Sequence, residues 1–155
     1  MLDKNQLKTI QFYQAFLRCY IHGQKKRRRF MGKVHISFHK NMYAKSKTCA
    51  DCYEHRGRYY IRLDKKKADG ATLIHELYHA VCFYLKRKYD YKGDYWQNKE
   101  EIAAYGWEWA LMKYFGWGDR KIIRSLGGIA LNKERKKEFL RRVQDTGEKF
   151  LGRIK

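Results

Sequence analysis

Two histidines four residues apart, His75 and His79, lie in an otherwise apolar stretch and constrain the fold more than any other feature of the chain. An α-helix turns once in about 3.6 residues, so this spacing places both imidazoles on one face, one turn apart. The opposite face is aliphatic, with Leu73, Ile74, Leu77, Ala80 and Val81. The stretch therefore predicts a buried helix whose histidines face a functional site.

The rest of the pattern predicts a single α+β domain over residues 1–155, with a short sheet packed on this helix and basic helical segments at both ends. Period-two alternation predicts a strand over residues 32–38, and a high content of β-forming residues predicts a second strand over residues 58–63. Apolar periodicity, with Asp3, Asp69, Asp119 and Asn132 as the expected caps, predicts helices over residues 3–22, 70–88, 99–115, 119–127 and 132–146. Residues 39–56 are polar and predict irregular structure, and the basic run over residues 25–29 predicts a solvated loop.

Charge sets this chain apart from an average soluble domain. It has 155 residues, and 36 lysines and arginines against 16 aspartates and glutamates give it a formal charge of +20. Such an excess favours polyanions, so DNA or RNA is an expected partner through the basic surface. The start is polar, no apolar run is long enough to span a bilayer, and four cysteines are too few for a disulfide framework. We expect a cytoplasmic protein with no membrane partner.

The chemistry predicted for the histidine helix depends on the acidic residue that follows the first histidine. Glu76 follows His75 directly, which completes the pattern H-E-x-x-H, and the spacing of His75 and His79 lets them share one Zn²⁺. The carboxylate of Glu76 can then reach a zinc-bound water without binding the metal. Zinc lowers the pKa of that water, and Glu76 takes its proton as general base. The motif therefore predicts a hydrolytic zinc site.

A catalytic zinc normally has three protein ligands and one open position, so a third ligand is required. No histidine follows His79 in the chain, which leaves a carboxylate as the expected donor. The candidates are Asp90, Asp94, Glu100, Glu101 and Glu108. A donor for the oxyanion of the tetrahedral intermediate is also required, and Tyr91, Tyr95, Tyr105 and His55 are all open candidates.

The stretch Leu73–Val81, followed by Glu101-Ile102-Ala103-Ala104-Tyr105, resembles the gluzincin layout of zinc metallopeptidases. It is similar to small phage and bacterial proteins of the SprT-like and ImmA/IrrE-like kinds, over about residues 57 to 112. The resemblance implies a small zincin-like domain, peptide-bond hydrolysis of a protein or peptide substrate, and Glu101 rather than Glu100 as the third ligand.

Two further patterns leave alternatives open. Cys49 and Cys52 form a C-x-x-C pair that, with His55 and His39, could hold a structural zinc, although a single pair is weak evidence. The basic segments after residue 118 could form a helix-turn-helix. The alternative to a metallopeptidase is therefore a non-catalytic, basic nucleic-acid-binding protein with a structural or degenerate zinc site.

Overall fold

The computed structural model describes residues 3–87, 94–126 and 131–154, and it confirms the α+β class. The chain divides into two compact units, Met1–Lys86 and Arg87–Arg153. Whether they act as the single domain expected from the sequence stays a prediction. No helix in the described ranges combines the length and the apolar character needed to cross a membrane.

In its described residues, the first unit contains four helices and a three-stranded sheet. Its elements are α1 (Lys4–Tyr20), α2 (Gln24–Met31), β1 (Val34–His39), α3 (Met42–Ser46), β2 (Ala50–His55), β3 (Arg58–Asp64) and α4 (Gly70–Tyr84). All the described elements of the second unit are helices. Its elements are a short 3₁₀ helix (Tyr95–Gln97), α5 (Lys99–Tyr114), α6 (Asp119–Leu126) and α7 (Lys133–Ile154).

The sheet has β3 at its centre, parallel to β1 and antiparallel to β2. Alternate residues of β3 point to one face and are buried: Tyr59, Ile61 and Leu63. Ala50 and Cys52 of β2 stand opposite Leu63 and Ile61, on this same face. Helix α4 packs against β2 and β3, so the buried face of the sheet supports the predicted histidine helix.

Two local predictions in the first unit are wrong. Residues 39–56 form α3 and β2 rather than irregular structure, because β2 gains its hydrogen bonds from β3 and not from strong local β propensity. The basic run lies in α2 rather than in a loop. Lysine and arginine are good helix formers, and Phe30, fully buried, anchors that helix.

Asp64 is the last residue of β3, and its side chain connects α3 with the turn that follows β3. Its carboxylate accepts hydrogen bonds from the backbone N–H groups of Tyr43 (2.8 Å), Lys66 (2.9 Å) and Lys67 (3.1 Å). These bonds, the one from Tyr43 foremost, lower the pKa of Asp64 below its ordinary value. The ionised carboxylate thus joins α3 to the sheet and shapes the turn that leads into α4.

Two glycines allow α5 and α7 of the second unit to approach closely. A Cβ on Gly147 would lie 2.6 Å from the Trp109 side chain, and one on Gly106 would lie 2.8 Å from Cγ2 of Thr146. Nearby, the rings of Trp107 and Phe150 stack with centroids 4.4 Å apart. The indole N–H of Trp109 also donates to Glu148 at 3.2 Å.

This packing explains why α7 extends to Ile154, beyond the expected end near residue 146. Gly147 resembles a helix stop in the sequence, yet it lies inside the helix at the contact with α5. The helices predicted over residues 99–115 and 119–127 are confirmed as α5 and α6, although Asp119 is the first residue of α6 rather than its cap. Residues 127–130, the connection of the helix-turn-helix alternative, lie outside the described residues.

We expect Gly147→Ala to destabilise the protein by about 1 to 2 kcal/mol. Overpacking against Trp109, which is fully buried and cannot move aside, costs about 1–3 kcal/mol, and alanine recovers up to about 1 kcal/mol through helix propensity. Gly152→Ala is the control on the same helix, where a new Cβ meets nothing within 4 Å. Urea unfolding should show a lower midpoint for the first variant and an unchanged or higher one for the second. Equal midpoints would contradict the close contact.

We also expect the stabilisation by Asp64 to depend on pH. Its pKa is lower in the folded protein than the ordinary value of 3.8, so the carboxylate stabilises the fold fully above that pH. The contribution is lost as the pH falls through the lower, folded-state pKa. The difference in unfolding free energy between wild type and Asp64→Asn should therefore be constant above pH 5 or so and shrink below pH 3.8. A difference that does not change with pH would contradict this role.

Candidate metal centre

Helix α4 begins at a strong capping site, which determines where its histidines lie. The Thr72 N–H donates to Oδ1 of Asp69 at 2.8 Å, and the Thr72 hydroxyl reaches back to the Asp69 backbone, which completes a capping box. The Tyr13 hydroxyl donates to the Gly70 carbonyl at 2.8 Å, and burial, followed by the charge of Asp69, raises the pKa of Tyr13. The start of α4 is thereby tied to α1.

The middle of α4 is buried over nine consecutive residues, from Ile74 to Cys82. Three of them are polar: His75 is 7 % exposed, and Glu76 and His79 are each 8 % exposed. Burying ionisable groups costs free energy unless they have partners, so a run of this kind marks either a polar network or a metal site. Cys82 is fully buried, as expected for a core thiol.

The structure brings His75, His79 and Glu101 together. The two imidazole rings are 5.0 Å apart between centroids and inclined at 63°. One ligand atom from each of the three side chains lies within 4.8 Å of the others, so the group could hold a metal ion. Among the described residues it is the one such group of three or more. These are the three residues that the resemblance favours as ligands, and their binding of zinc stays a prediction.

Glu101 lies in the first turn of α5, and the local sequence explains its position. Asn98 caps this helix, and its Oδ1 accepts hydrogen bonds from the N–H groups of Glu100 (2.9 Å) and Glu101 (3.4 Å). Acidic side chains are favoured at a helix N-terminus, where the positive end of the helix dipole lies. The group contains Glu101 and not Glu100, and neither Asp94 nor Glu108 belongs to it.

The Glu76 carboxylate lies close enough to Cys52 of β2 to influence its titration. Burial raises the pKa of the Cys52 thiol strongly, and the charges of Glu76, then Asp51, raise it further. Cys52 is therefore a neutral thiol on the strand that packs against the helix of Glu76. The sequence did not indicate this neighbour, because residues 39–56 were not expected to form a strand.

The second metal site suggested by the C-x-x-C pair has no support in the strand geometry. Cys52 pairs with Ile61 on the buried face of the sheet, whereas His39 and His55 pair with Asp64 and Arg58 in the opposite register. Successive side chains along a strand point to opposite faces of the sheet, so His39 and His55 lie on the face opposite to Cys52. These histidines therefore cannot join Cys52 at one ion. The cysteines belong to no metal-holding group among the described residues.

Two of the expected oxyanion donors, Tyr105 and His55, have side chains in the described part of the chain. Tyr105 lies one turn beyond Glu101 on α5, and its ring packs edge to face on Phe139 with centroids 5.3 Å apart. His55 is exposed at the end of β2. Tyr91 and the side chain of Tyr95, like the candidate ligand Asp90, lie outside the described part of the chain.

Comparison of the chain with protein-family models, with curated proteins and with solved structures found no match. The interpretation of the centre therefore depends on its own geometry and chemistry.

We expect Glu101→Ala to lower the affinity for zinc by at least about 100-fold, since even the loss of groups that support ligands costs about 10- to 100-fold. Glu100→Ala is the matched control, one residue away on the same helix turn and outside the group. His75→Ala should lose the metal as well. Isothermal titration with Zn²⁺ and elemental analysis would measure the affinity and the metal content. Loss of zinc in the Glu100 variant alone would move the third ligand by one residue.

Proposed function

We propose that this protein is a zinc-dependent metallopeptidase of the zincin type. The observation that carries the proposal is the convergence of His75, His79 and Glu101 beside Glu76, all on ordered helices. Two imidazoles and one carboxylate are the donor set of hydrolytic zinc enzymes, and three protein ligands leave one coordination position for water or substrate. A closed structural site would need a fourth protein ligand.

The metal, when bound, supplies a Lewis acid that lowers the pKa of a water molecule and polarises a carbonyl. The remaining chemistry falls to Glu76. Its backbone position next to His75 turns its side chain about 100° around the helix from the imidazole, so it flanks the metal-binding face without lying on it. From there the carboxylate takes a proton from the attacking water and returns it to the leaving amine.

A peptide substrate is favoured by the strand beside the centre. Within the described residues β2 pairs with β3 only, so its other edge carries backbone groups that can hydrogen-bond an extended chain. Helix α4 packs directly on β2. An extended peptide added at this edge would run alongside the helix that carries Glu76. Together with the sequence resemblance, this supports peptide-bond hydrolysis over other zinc-dependent hydrolyses.

The decisive variant is Glu76→Gln, which keeps the size of the side chain and removes its basicity. Zinc should remain bound, and hydrolysis should fall by roughly 100- to 10,000-fold, the usual contribution of general-base catalysis. Glu138→Gln, on the exposed side of α7, is the control that removes the same charge elsewhere. Denatured casein, the protein's own chain and DNA-bound proteins are the first substrates to test.

Two outcomes would overturn the proposal. A Glu76→Gln variant that holds zinc and cleaves as fast as wild type would remove Glu76 from the mechanism. A wild-type protein that holds zinc and cleaves nothing, with or without DNA, would favour the non-catalytic nucleic-acid-binding alternative.

A further inference from the structure

The cleft between α1 and α2, here named the arginine cleft, is a basic feature that the metal centre does not explain. Its walls carry three arginines, Arg18, Arg27 and Arg28, and its volume is about 500 Å³. Leu17, 8 % exposed, and Met31, 39 % exposed, add apolar surface to it. The cleft therefore combines cationic groups with an apolar floor.

The spacing of the residues shows that both helices present a continuous face to this cleft. Along α2 the lining residues follow Gln24 by three, four and seven positions: Arg27, Arg28 and Met31. Residues at this spacing share one helix face. On α1 the spacing repeats with Gln14, Leu17 and Arg18. The other basic residues of α2, Lys25, Lys26 and Arg29, do not line the cleft.

Local contacts hold Arg27 and the backbone of α2 in place. Gly23 has a φ of +89°, which lets the chain turn sharply from α1 into α2. The Arg27 guanidinium donates to the Ile21 carbonyl at 3.0 Å, and Phe30, fully buried, anchors α2 from its other side. The turn and the packing of α2 thus fix the backbone from which the three arginines project into the cleft.

The charge around the cleft is of one sign over a long stretch. From Lys4 to Ala50 the chain contains twelve lysines and arginines and no aspartate or glutamate. In the described part of the chain, Arg18, Arg27 and Arg28 form no ion pair with a carboxylate. Three guanidiniums without a local counter-charge attract a polyanion, and they can bind phosphate oxygens in a bidentate manner.

We propose that the arginine cleft binds single-stranded nucleic acid, with the three arginines on the phosphates and a base against Leu17 and Met31. A single strand leaves its bases exposed, so it can use the apolar floor, whereas a duplex keeps its bases stacked inside. An anionic membrane fits less well, because an interfacial helix needs a large apolar face and Phe30 of α2 points into the core. This inference does not depend on the proposed peptidase activity.

The test compares two double variants that each remove two positive charges from the same region. Arg18→Gln with Arg28→Gln changes the cleft, and Lys25→Gln with Arg29→Gln is the matched control outside it. Arg27 is left intact because it also supports the turn at Ile21. Fluorescence anisotropy would measure binding to a labelled RNA strand and a DNA strand of the same sequence, each about 12 nucleotides long, and to a DNA duplex of about 12 base pairs.

Wild type should bind both single strands more tightly than the duplex, with affinity that falls steeply as salt rises. The cleft variant should bind roughly tenfold more weakly and should lose about 0.7 from the salt slope for each phosphate contact removed, while the control keeps most of both. Thermal melts by circular dichroism would show that both variants are folded. Whichever single strand binds more tightly identifies RNA or DNA as the ligand.

Three results would overturn the inference. Equal losses in the two variants would mean that overall charge, and not the cleft, attracts the strand. Preference for the duplex would remove the role of the apolar floor. Tight binding to phosphatidylserine vesicles that depends on Arg18 and Arg28, without binding to any strand, would make the cleft a membrane contact.

Discussion

The burial of a polar turn in α4 is the constraint on which the rest of the first unit depends. His75, Glu76 and His79 are each at most 8 % exposed, and ionisable groups taken from water without partners cost several kcal/mol. The packing of α4 on β2 and β3 and the cap at Asp69 stabilise the helix that carries these groups. A metal ion shared by the two imidazoles would add its binding free energy to the stability of the folded state.

The second unit places its carboxylate on a rigid element rather than on a loop. Gly106 and Gly147 let α5 and α7 pack closely, and the stacked Trp107 and Phe150 hold them there. Glu101 lies in the first turn of the helix so held. Functional groups on packed helices keep their geometry better than groups on loops, because their backbone has few alternative conformations. The large aromatic side chains of α5 therefore serve the site indirectly, through the stiffness of the helix.

The basic residues of the first unit are arranged independently of the metal centre. Arg18, Arg27 and Arg28 line a cleft between α1 and α2, whereas the candidate ligands of that unit lie on α4. The proposed peptidase activity and the proposed binding of single strands thus depend on different side chains, and each can fail without the other. If both hold, the cleft would keep the enzyme near nucleic acid and raise the local concentration of proteins bound there.

Local patterns in the sequence were sufficient to predict the α+β class and the helix with His75 and His79. They also predicted the helix caps at Asp3, Asp69 and Asn132. Each of these features depends on residues within a few positions of one another. They were insufficient for β2, whose hydrogen bonds come from β3, and for the length of α7, where Gly147 serves a contact with Trp109. The motif and its resemblance favoured Glu101 over Glu100. Only the tertiary structure decided which carboxylate meets the histidines and which face of the sheet Cys52 occupies, because both depend on packing between segments far apart in the chain.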